Sequence, residues 1–289
     1  LTTLLTGIVD YAGLFPPASL SMRDAVHNYA GYVQSADGWM LARFIVPVSR
    51  LQEFEAEAQR LLPKDSSPWR ISALAESSFQ DDANRIAEFN ARHIGVIVDA
   101  VELKASRLEE ILAAALLFPK SFHVFVEIPI QHDPAPLVHA IGQAGLKAKV
   151  RTGGVTPDAF PSSEHIVRFL SACVSEGVQF KATAGLHHPV RSLNNLTYEA
   201  NSEKAKMYGY LNAFLDASFL KNGLSVDDAV TLLEEENHEA FQFDTEGVTW
   251  RSHRLSTAQI RDSRTDVASS FGSCSFREPI DELKVMNLL

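Results

Sequence analysis

Cysteine is scarce in this chain, and long apolar stretches are missing. The 289 residues include two cysteines, Cys173 and Cys274, which are too few for a disulfide framework and typical of a reducing compartment. No apolar run reaches the roughly 18 residues that a membrane helix needs. Residues 1–14 lack a basic start and contain Asp10, so no signal peptide is expected there. We therefore expect a cytoplasmic protein with no membrane partner.

Positive charge is in the minority. The chain has 26 Lys and Arg against 36 Asp and Glu, which gives a net charge of −10. Nucleic-acid backbones and anionic lipids attract basic surfaces, so we expect no nucleic-acid partner. Hydrophobic residues make up 46% and charged residues 21%, a composition that allows a full core and excludes general disorder.

Short apolar runs alternate with longer segments of helical period. Candidate strands begin mostly about 25 to 30 residues apart, the length of one βα unit, and cover residues 7–11, 42–48, 70–75, 96–103, 123–128, 147–152 and 179–184. Apolar stripes between them indicate amphipathic helices, as in the sets Leu108, Ile111, Leu112, Ala115, Leu116 and Ile166, Phe169, Leu170, Cys173. Apolar strands separated by such helices indicate a parallel sheet covered by helices.

Seven such units predict an α/β fold of the (β/α)8, or TIM, barrel type. An open doubly wound sheet is the alternative, and it is disfavoured because no Gly-x-Gly-x-x-Gly motif follows any strand. We place the eighth strand at residues 270–275, with 208–214 as the alternative. We expect one barrel domain over residues 1–289, with 190–268 inserted before the last strand.

The 190–268 insertion has elements of its own. Residues 202–222, 225–236 and 256–268 have helical patterns, and 241–251 indicates a small hairpin. A final helix is expected at 278–289. The apolar character of 202–222 predicts that it covers the barrel or is buried in a homo-oligomer.

Charged residues lie within or at the ends of the apolar strands, where barrel enzymes hold their chemistry. They are Glu76, Asp99, Glu102, Glu127, Lys149, Arg151 and Lys181, with Thr183, His187 and His188 near the end of the seventh strand. Lys149 and Arg151 are two residues apart, so they share a face of their strand. Asp99 and Glu102 are three apart, so they face opposite ways unless the strand bulges.

Two of these residues, Lys149 and Lys181, have the chemistry of a Schiff-base site. A desolvated lysine near other cations has a lowered pKa, which supplies the neutral amine that attacks a carbonyl. A second lysine and a carboxylate such as Asp99 then suit proton transfer. Glu127 opposes this, because a close carboxylate favours the ammonium. The competing interpretation is an ion-pair network that only fills the barrel, and the cost of burying so many charges disfavours it.

Glycine-rich turns follow the last three strands, at Thr152-Gly153-Gly154, Ala184-Gly185 and Gly272-Ser273-Cys274-Ser275. Backbone N–H groups exposed in such turns bind anions. We therefore predict a substrate or phosphate site there, formed by Arg151, Thr152, Gly153, Gly154, Thr183, Gly185, His187, Gly272, Ser273 and Ser275.

These motifs resemble the class I aldolases of the deoxyribose-phosphate aldolase type. Lys149-Val150-Arg151-Thr152-Gly153 is similar to that family's Lys-Thr-Ser-Thr-Gly, and Lys181-Ala182-Thr183-Ala184-Gly185 to its Lys-Ala-Ser-Gly-Gly. Val98-Asp99-Ala100-Val101, Glu127 and Phe271-Gly272-Ser273-Cys274-Ser275 are similar to its Val-Asp-x-Val, its strand-five Glu and its Phe-Gly-x-Ser-Ser. The resemblance covers about residues 7–186 and 270–289. It implies Lys149 as the nucleophile and Asp99 with Lys181 as the proton relay.

The chain departs from that pattern in Arg151, in His187-His188-Pro189 and in the length of 190–268, which indicates a divergent branch. The predicted function is an aldolase-like lyase for a small carbonyl metabolite, with or without a phosphate group, that needs no cofactor and no metal ion.

Two alternatives stay open. One is a metal-dependent barrel lyase or hydrolase that uses His187 or His188 with Glu127, Glu102 or Asp99. The other is a non-catalytic barrel that binds an anionic metabolite, which an ion-paired Lys149 would favour.

Overall fold

A computed structural model describes residues 1–64, 67–76 and 78–289 of the chain. Its strands are β1 (Val9–Tyr11), β2 (Leu41–Pro47), β3 (Trp69–Leu74), β4 (Val96–Lys104), β5 (His123–Glu127), β6 (Lys147–Arg151), β7 (Phe180–Thr183), β8 (Ser192–Asn195), β9 (Lys204–Met207), β10 (Phe241–Phe243), β11 (Gly247–Trp250), β12 (His253–Ser256) and β13 (Ala268–Ser273). Strands β1 to β7 run parallel and close into a barrel through β13, which pairs with both β7 and β1. The predicted (β/α)8 barrel is confirmed.

The helices are α1 (Thr2–Leu5), α2 (Met22–Gln34), α3 (Leu51–Ala58), α4 (Phe79–Arg92), α5 (Leu108–Leu117), α6 (Ala135–Gln143), α7 (Ser163–Glu176), α8 (Tyr210–Lys221), α9 (Val226–Leu233), α10 (Thr257–Asp266) and α11 (Arg277–Val285). Five of them begin after a serine whose hydroxyl accepts a hydrogen bond from a backbone N–H of the first turn, namely Ser21, Ser78, Ser162, Ser225 and Ser256. Gly177 ends α7 in the left-handed conformation, with φ of 61°.

All eight barrel strands overlap the segments predicted for them. The eighth lies at Ala268–Ser273, close to the predicted 270–275. The alternative position, 208–214, is wrong because residues 210–214 belong to α8.

The buried face of α5 differs from the predicted stripe. Ile111 and Ala114 are buried, while Leu108, Leu112 and Leu116 are exposed at intervals of four residues. Because apolar residues lie on most sides of this helix, its apolar pattern did not single out the face that packs on the barrel. The stripe predicted for α7 is correct, since all four of its residues are buried.

Residues 184–267 connect β7 to β13, and the predicted insertion of residues 190–268 makes up most of this connection. They form the antiparallel pair β8–β9, the helices α8, α9 and α10, and an antiparallel sheet of β10, β11 and β12. The predicted helix over 202–222 begins only at Tyr210, because residues 204–207 pair with β8 instead. Gly209 marks the change, and a Cβ there would lie 2.5 Å from the Pro189 carbonyl oxygen.

Helix α8 packs against α7, α9, α10 and β13, so it covers the barrel. Residues 210–219 of this helix are all buried. Asp216 is among them, and neither of its carboxylate oxygens has a hydrogen-bond partner within the described part of the chain. Burial raises the pKa of Asp216 well above its ordinary value. Folding therefore favours the neutral form of this carboxyl.

Replacing Asp216 with Asn should stabilise the protein increasingly as pH rises. The folded pKa lies above the unfolded one, so the folded state keeps a proton that the unfolded chain releases above about pH 4. Stability from that proton is fully present below this pH and is then lost by up to about 1.4 kcal/mol per pH unit until the folded pKa is reached. Urea unfolding between pH 4 and 7 measures the difference between the two proteins.

The matched control is Asp262→Asn on the exposed face of α10. Its free energy of unfolding should follow the wild-type pH profile, because an exposed carboxylate is hydrated in both states. Parallel profiles for Asp216→Asn and wild type would contradict a neutral buried Asp216.

Candidate active site

The carboxyl ends of the barrel strands surround a cavity of about 330 Å³. Its floor contains Lys149, Glu102 and Glu127, which lie on β6, β4 and β5. Residues 15–17 of the loop after β1 form part of the wall, as do Leu196 and Met207 from the connection before β13. The long insertion therefore contributes directly to the mouth of the barrel.

Glu102 joins the two lysines of the barrel. Its Oε2 lies 2.9 Å from Lys149 Nζ, and its Oε1 lies 2.6 Å from Lys181 Nζ. Lys149 also lies 2.9 Å from Glu127 Oε2. The pairing is built into the sheet, because Glu127, Lys149 and Lys181 are direct neighbours across β5, β6 and β7.

The network continues below the cavity to Asp10 on β1. Lys181 Nζ lies 2.5 Å from Asp10 Oδ2, and both side chains are fully buried. Asp10 also accepts hydrogen bonds from the Ser270 hydroxyl at 2.6 Å and the Arg43 backbone N–H at 2.9 Å. Ser72 donates to Glu102 Oε1 at 2.7 Å. Each charge along this chain of contacts is thus paired with an opposite charge, which is what burial requires.

Lys149 is an ammonium ion in this arrangement. Burial on its own would lower its pKa, but the carboxylates of Glu102 and Glu127 outweigh burial and raise the pKa above the usual value. Burial likewise opposes the charge of Glu102, yet Lys149 and Lys181 hold the Glu102 pKa far below its ordinary range. The expected lowering of the Lys149 pKa is therefore wrong, because its nearest neighbours are anions.

Asp99 pairs with two arginines rather than with Lys149 or Lys181. It is held by Arg43, whose Nε donates to Oδ1 at 2.6 Å, and by Arg70, whose Nε donates to Oδ2 at 2.7 Å. The β3–β4 register skips one residue at Asp99, so β4 contains the bulge that the sequence left open. Asp99 is three residues nearer the N-terminal end of β4 than Glu102, and Glu102 is the carboxylate that contacts both lysines.

A third lysine, Lys147, lies on the same strand at the end away from the mouth. Its Nζ lies 2.6 Å from His123 Nδ1 and also contacts Gln179 Oε1. Burial, followed by the nearby Arg43, lowers the pKa of Lys147 to about 8. Among the lysines of β6, Lys147 is therefore the one that burial and cations activate.

The rim of the cavity has two further cations. Lys104 Nζ lies 3.8 Å from Glu127 Oε1, and Arg151 Nε lies 3.7 Å from the same oxygen. The Lys104 side chain is mostly exposed, and the Arg151 side chain is about half exposed. Together with Lys149 they face two carboxylates in the cavity lining, Glu102 and Glu127, which leaves a net charge of +1. Both rim residues also line a shallow groove beside the mouth.

The glycine-rich turns divide into lining and supporting residues. Gly154, Thr183, Gly185 and Gly272 line the cavity. Thr152 and Ser273 are buried, and the Thr152 hydroxyl donates to the Ala184 carbonyl at 2.6 Å. Ser273 donates to the Ser275 carbonyl at 2.7 Å. Gly153 packs on the Phe160 ring, which would collide with a Cβ at that position. These four residues, Thr152, Gly153, Ser273 and Ser275, therefore support the turns.

The two adjacent histidines have different surroundings. His187 lines the cavity beside Ser273 and Cys274, and burial, followed by His188, lowers the His187 pKa to about 4, so this imidazole is neutral. His188 Nδ1 lies 2.7 Å from Glu282 of α11. Each carboxylate of the proposed metal alternative, Glu102, Glu127 and Asp99, is instead paired with a lysine or an arginine.

Sequence reasoning gave Asp10 no role in the site, and it considered Glu102 among the strand-end charges and as a metal ligand but not as the carboxylate that joins the two lysines. Asp10 stands inside the apolar segment 7–11, so the rule that selected the other strand-end charges applies to it as well. Lys104 follows Glu102 by two residues and shares its face. Both signals were present in the sequence.

None of the helices within the described ranges combines the length and apolar character that crossing a bilayer requires. A scan against models of known protein families found no match to this chain, and a search of curated proteins found no significant match. The resemblance to class I aldolases therefore depends on the sequence motifs alone.

Proposed function

We propose that this chain is a Schiff-base lyase of the aldolase type that acts on a small carbonyl compound with an acidic group. The observation that carries the proposal is the position of Lys149. Its amine lies at the floor of the mouth cavity between two carboxylates, and one of these, Glu102, is shared with a second buried lysine.

The contacts supply a path for protons. Attack on a carbonyl carbon requires Lys149 to lose a proton, and the acceptors within 2.9 Å are Glu102 and Glu127. Loss of water from the carbinolamine then leaves an iminium ion. A base then removes the proton of the β-hydroxyl group, and the Cα–Cβ bond breaks to release an aldehyde; the electron pair of that bond forms the C=C bond of an enamine while the iminium π pair moves to the nitrogen. An acid returns a proton to the enamine carbon, and water hydrolyses the resulting imine, which frees the second product and Lys149. Glu102, backed by Lys181 and Asp10, is suited to relay the proton to the enamine carbon.

The rim favours an acidic substrate. Lys104 and Arg151 extend from β4 and β6 on either side of Glu127, and the cavity lining has an excess of one positive charge. A carboxylate or phosphate group between these side chains would balance that charge. The N–H groups of the turns at Gly154 and Gly185 offer further donors.

Borohydride reduction tests the proposal. The protein is incubated with simple 2-oxo acids, phosphorylated aldehydes and uncharged ketones at pH 6 to 9, reduced, and measured by intact mass. We expect one adduct per chain, more from the anionic carbonyls, with a rate that rises with pH because only the neutral amine attacks. Fragmentation of the modified peptide should place the adduct on Lys149.

Lys147 is the internal comparison, since its lower pKa makes it the more reactive amine on chemical grounds. An adduct on Lys147 that disappears in Lys147→Arg would indicate unspecific chemistry and would contradict the proposal.

One observation favours a second function, an anion-binding barrel without catalysis. Lys149 is ion-paired on two sides, which is how a purely structural lysine would be held. This alternative predicts that the same anionic compounds bind, as measured by calorimetry, and that no adduct forms at any pH.

A further inference from the structure

Beside the mouth, the segment after β7 meets the last helix through one histidine and two glutamates. His188 is buried, and Glu278 and Glu282 are one turn apart on α11, so they lie on the same face. His188 Nδ1 lies 2.7 Å from Glu282 Oε1. One ligand atom from each of the three residues lies within 4.8 Å of the other two, which is compatible with their binding one ion.

The charges of this cluster are unbalanced. Within the described residues, the nearest basic partners of Glu278 and Glu282 are the imidazoles of His187 and His188, at 3.5 and 2.7 Å, and neither carboxylate pairs with a lysine or an arginine. The neighbouring cations of α11 turn away, because Arg277 and Lys284 both pair with Asp37. In the part of the chain that the structure describes, these two carboxylates thus have imidazoles but no lysine or arginine as partners, so their face carries an excess of negative charge.

Outer contacts hold Glu278 and His188 in place. Tyr198 Oη donates to Glu278 Oε2 at 3.4 Å. The His188 carbonyl accepts a hydrogen bond from the Tyr210 N–H at 3.0 Å, which fixes the segment after β7 against the start of α8. Hydrogen bonds to the ligands and to the backbone that presents them are typical of sites that bind metal ions.

We propose that His188, Glu278 and Glu282 bind a divalent transition-metal ion of the Zn²⁺ type. An imidazole nitrogen with two carboxylate oxygens suits Zn²⁺ or Mn²⁺ better than Mg²⁺, which prefers oxygen ligands and water. The ion would join α11 to the segment after β7 and so hold the rim of the barrel closed at that point. No step of the proposed lyase chemistry depends on it.

Titration of the chelator-treated full chain with ZnCl₂ tests the site, followed by calorimetry and by thermal unfolding. We expect one Zn²⁺ per chain and a higher Tm in its presence. Glu278→Gln and Glu282→Gln should each weaken binding by more than the roughly 10–100-fold that the loss of an outer contact causes. Mg²⁺ at the same concentration should leave Tm unchanged.

Two control variants test whether Zn²⁺ binds at this cluster rather than at another histidine or at a cysteine. His139 and Glu176 form a pair at 2.8 Å on α6 and α7, so Glu176→Gln makes the same chemical change at a two-residue cluster and should retain Zn²⁺ binding. Cys274→Ser removes the thiol that lies 3.8 Å from His187 and should also retain it. Loss of binding in either control, or unchanged binding in both glutamate variants, would overturn the proposal.

Discussion

Replacement of Lys149 with methionine should abolish both the borohydride-trapped adduct and turnover. The side chain keeps its approximate length and loses the Nζ atom that forms the proposed imine at the cavity floor. Met also leaves Glu102 and Glu127 with one cation fewer. Lys149→Arg is therefore the matched control. Arginine preserves the positive charge and forms no Schiff base, so it should fold like wild type and trap nothing.

Lys181→Met distinguishes the two lysines. Lys181 is fully buried behind Glu102, so it should not itself meet the carbonyl carbon. We expect slow trapping on Lys149 to persist in this variant while turnover is lost, because the proton path through Glu102 ends there. Intact mass after reduction measures the first effect, and product formation on a substrate found in the panel measures the second. Full activity in Lys149→Met would show that the imine does not form at that position.

Glu102→Gln should lower the free energy of unfolding by about 3–5 kcal/mol, the usual cost of removing one partner from a buried ion pair. Glu102 is 1% exposed and contacts two ammonium groups, at 2.9 and 2.6 Å. Its replacement leaves Asp10 and Glu127 to balance both lysines. Urea unfolding at neutral pH measures the loss, and Glu109→Gln on the exposed face of α5 is the matched control.

Glu102→Gln should increase the rate of borohydride trapping, although it lowers the stability of the fold. The Lys149 pKa is raised by two carboxylates, so the removal of one increases the fraction of neutral amine. We expect faster initial trapping near pH 7 in folded Glu102→Gln, together with little turnover. An unchanged unfolding free energy would contradict the structural role of Glu102, and slower trapping would contradict its effect on the Lys149 proton.

The sequence alone determined the barrel and most of its mouth. Strands such as 123–128 and 147–152 are short apolar runs, and their identity depends on local residue pattern, which can be recognised without knowledge of neighbours. The two-residue alternation likewise placed Lys149 and Arg151 on one face, and both line the cavity. Local pattern was sufficient here because a parallel barrel strand has one face toward the lumen and one toward the helices.

The pairing of strands and the register between them could be determined only from the tertiary structure. The bulge in β4 at Asp99 is visible only in the register between β3 and β4, and it decides which of two carboxylates reaches the lysines. In the same way, residues 204–207 became a strand because β8 was available to pair with them. A helical pattern carries no information about a partner 9 to 15 residues away in the chain.

The protonation state of Lys149 was also decided by the tertiary structure. The sequence showed a lysine with Arg151 beside it and Lys181 on the next strand, which predicted a lowered pKa. In the folded barrel the nearest charges are Glu102 and Glu127, both at 2.9 Å, and the pKa is raised. Coulomb energies change steeply with distances of a few ångströms, and only the packed barrel sets those distances.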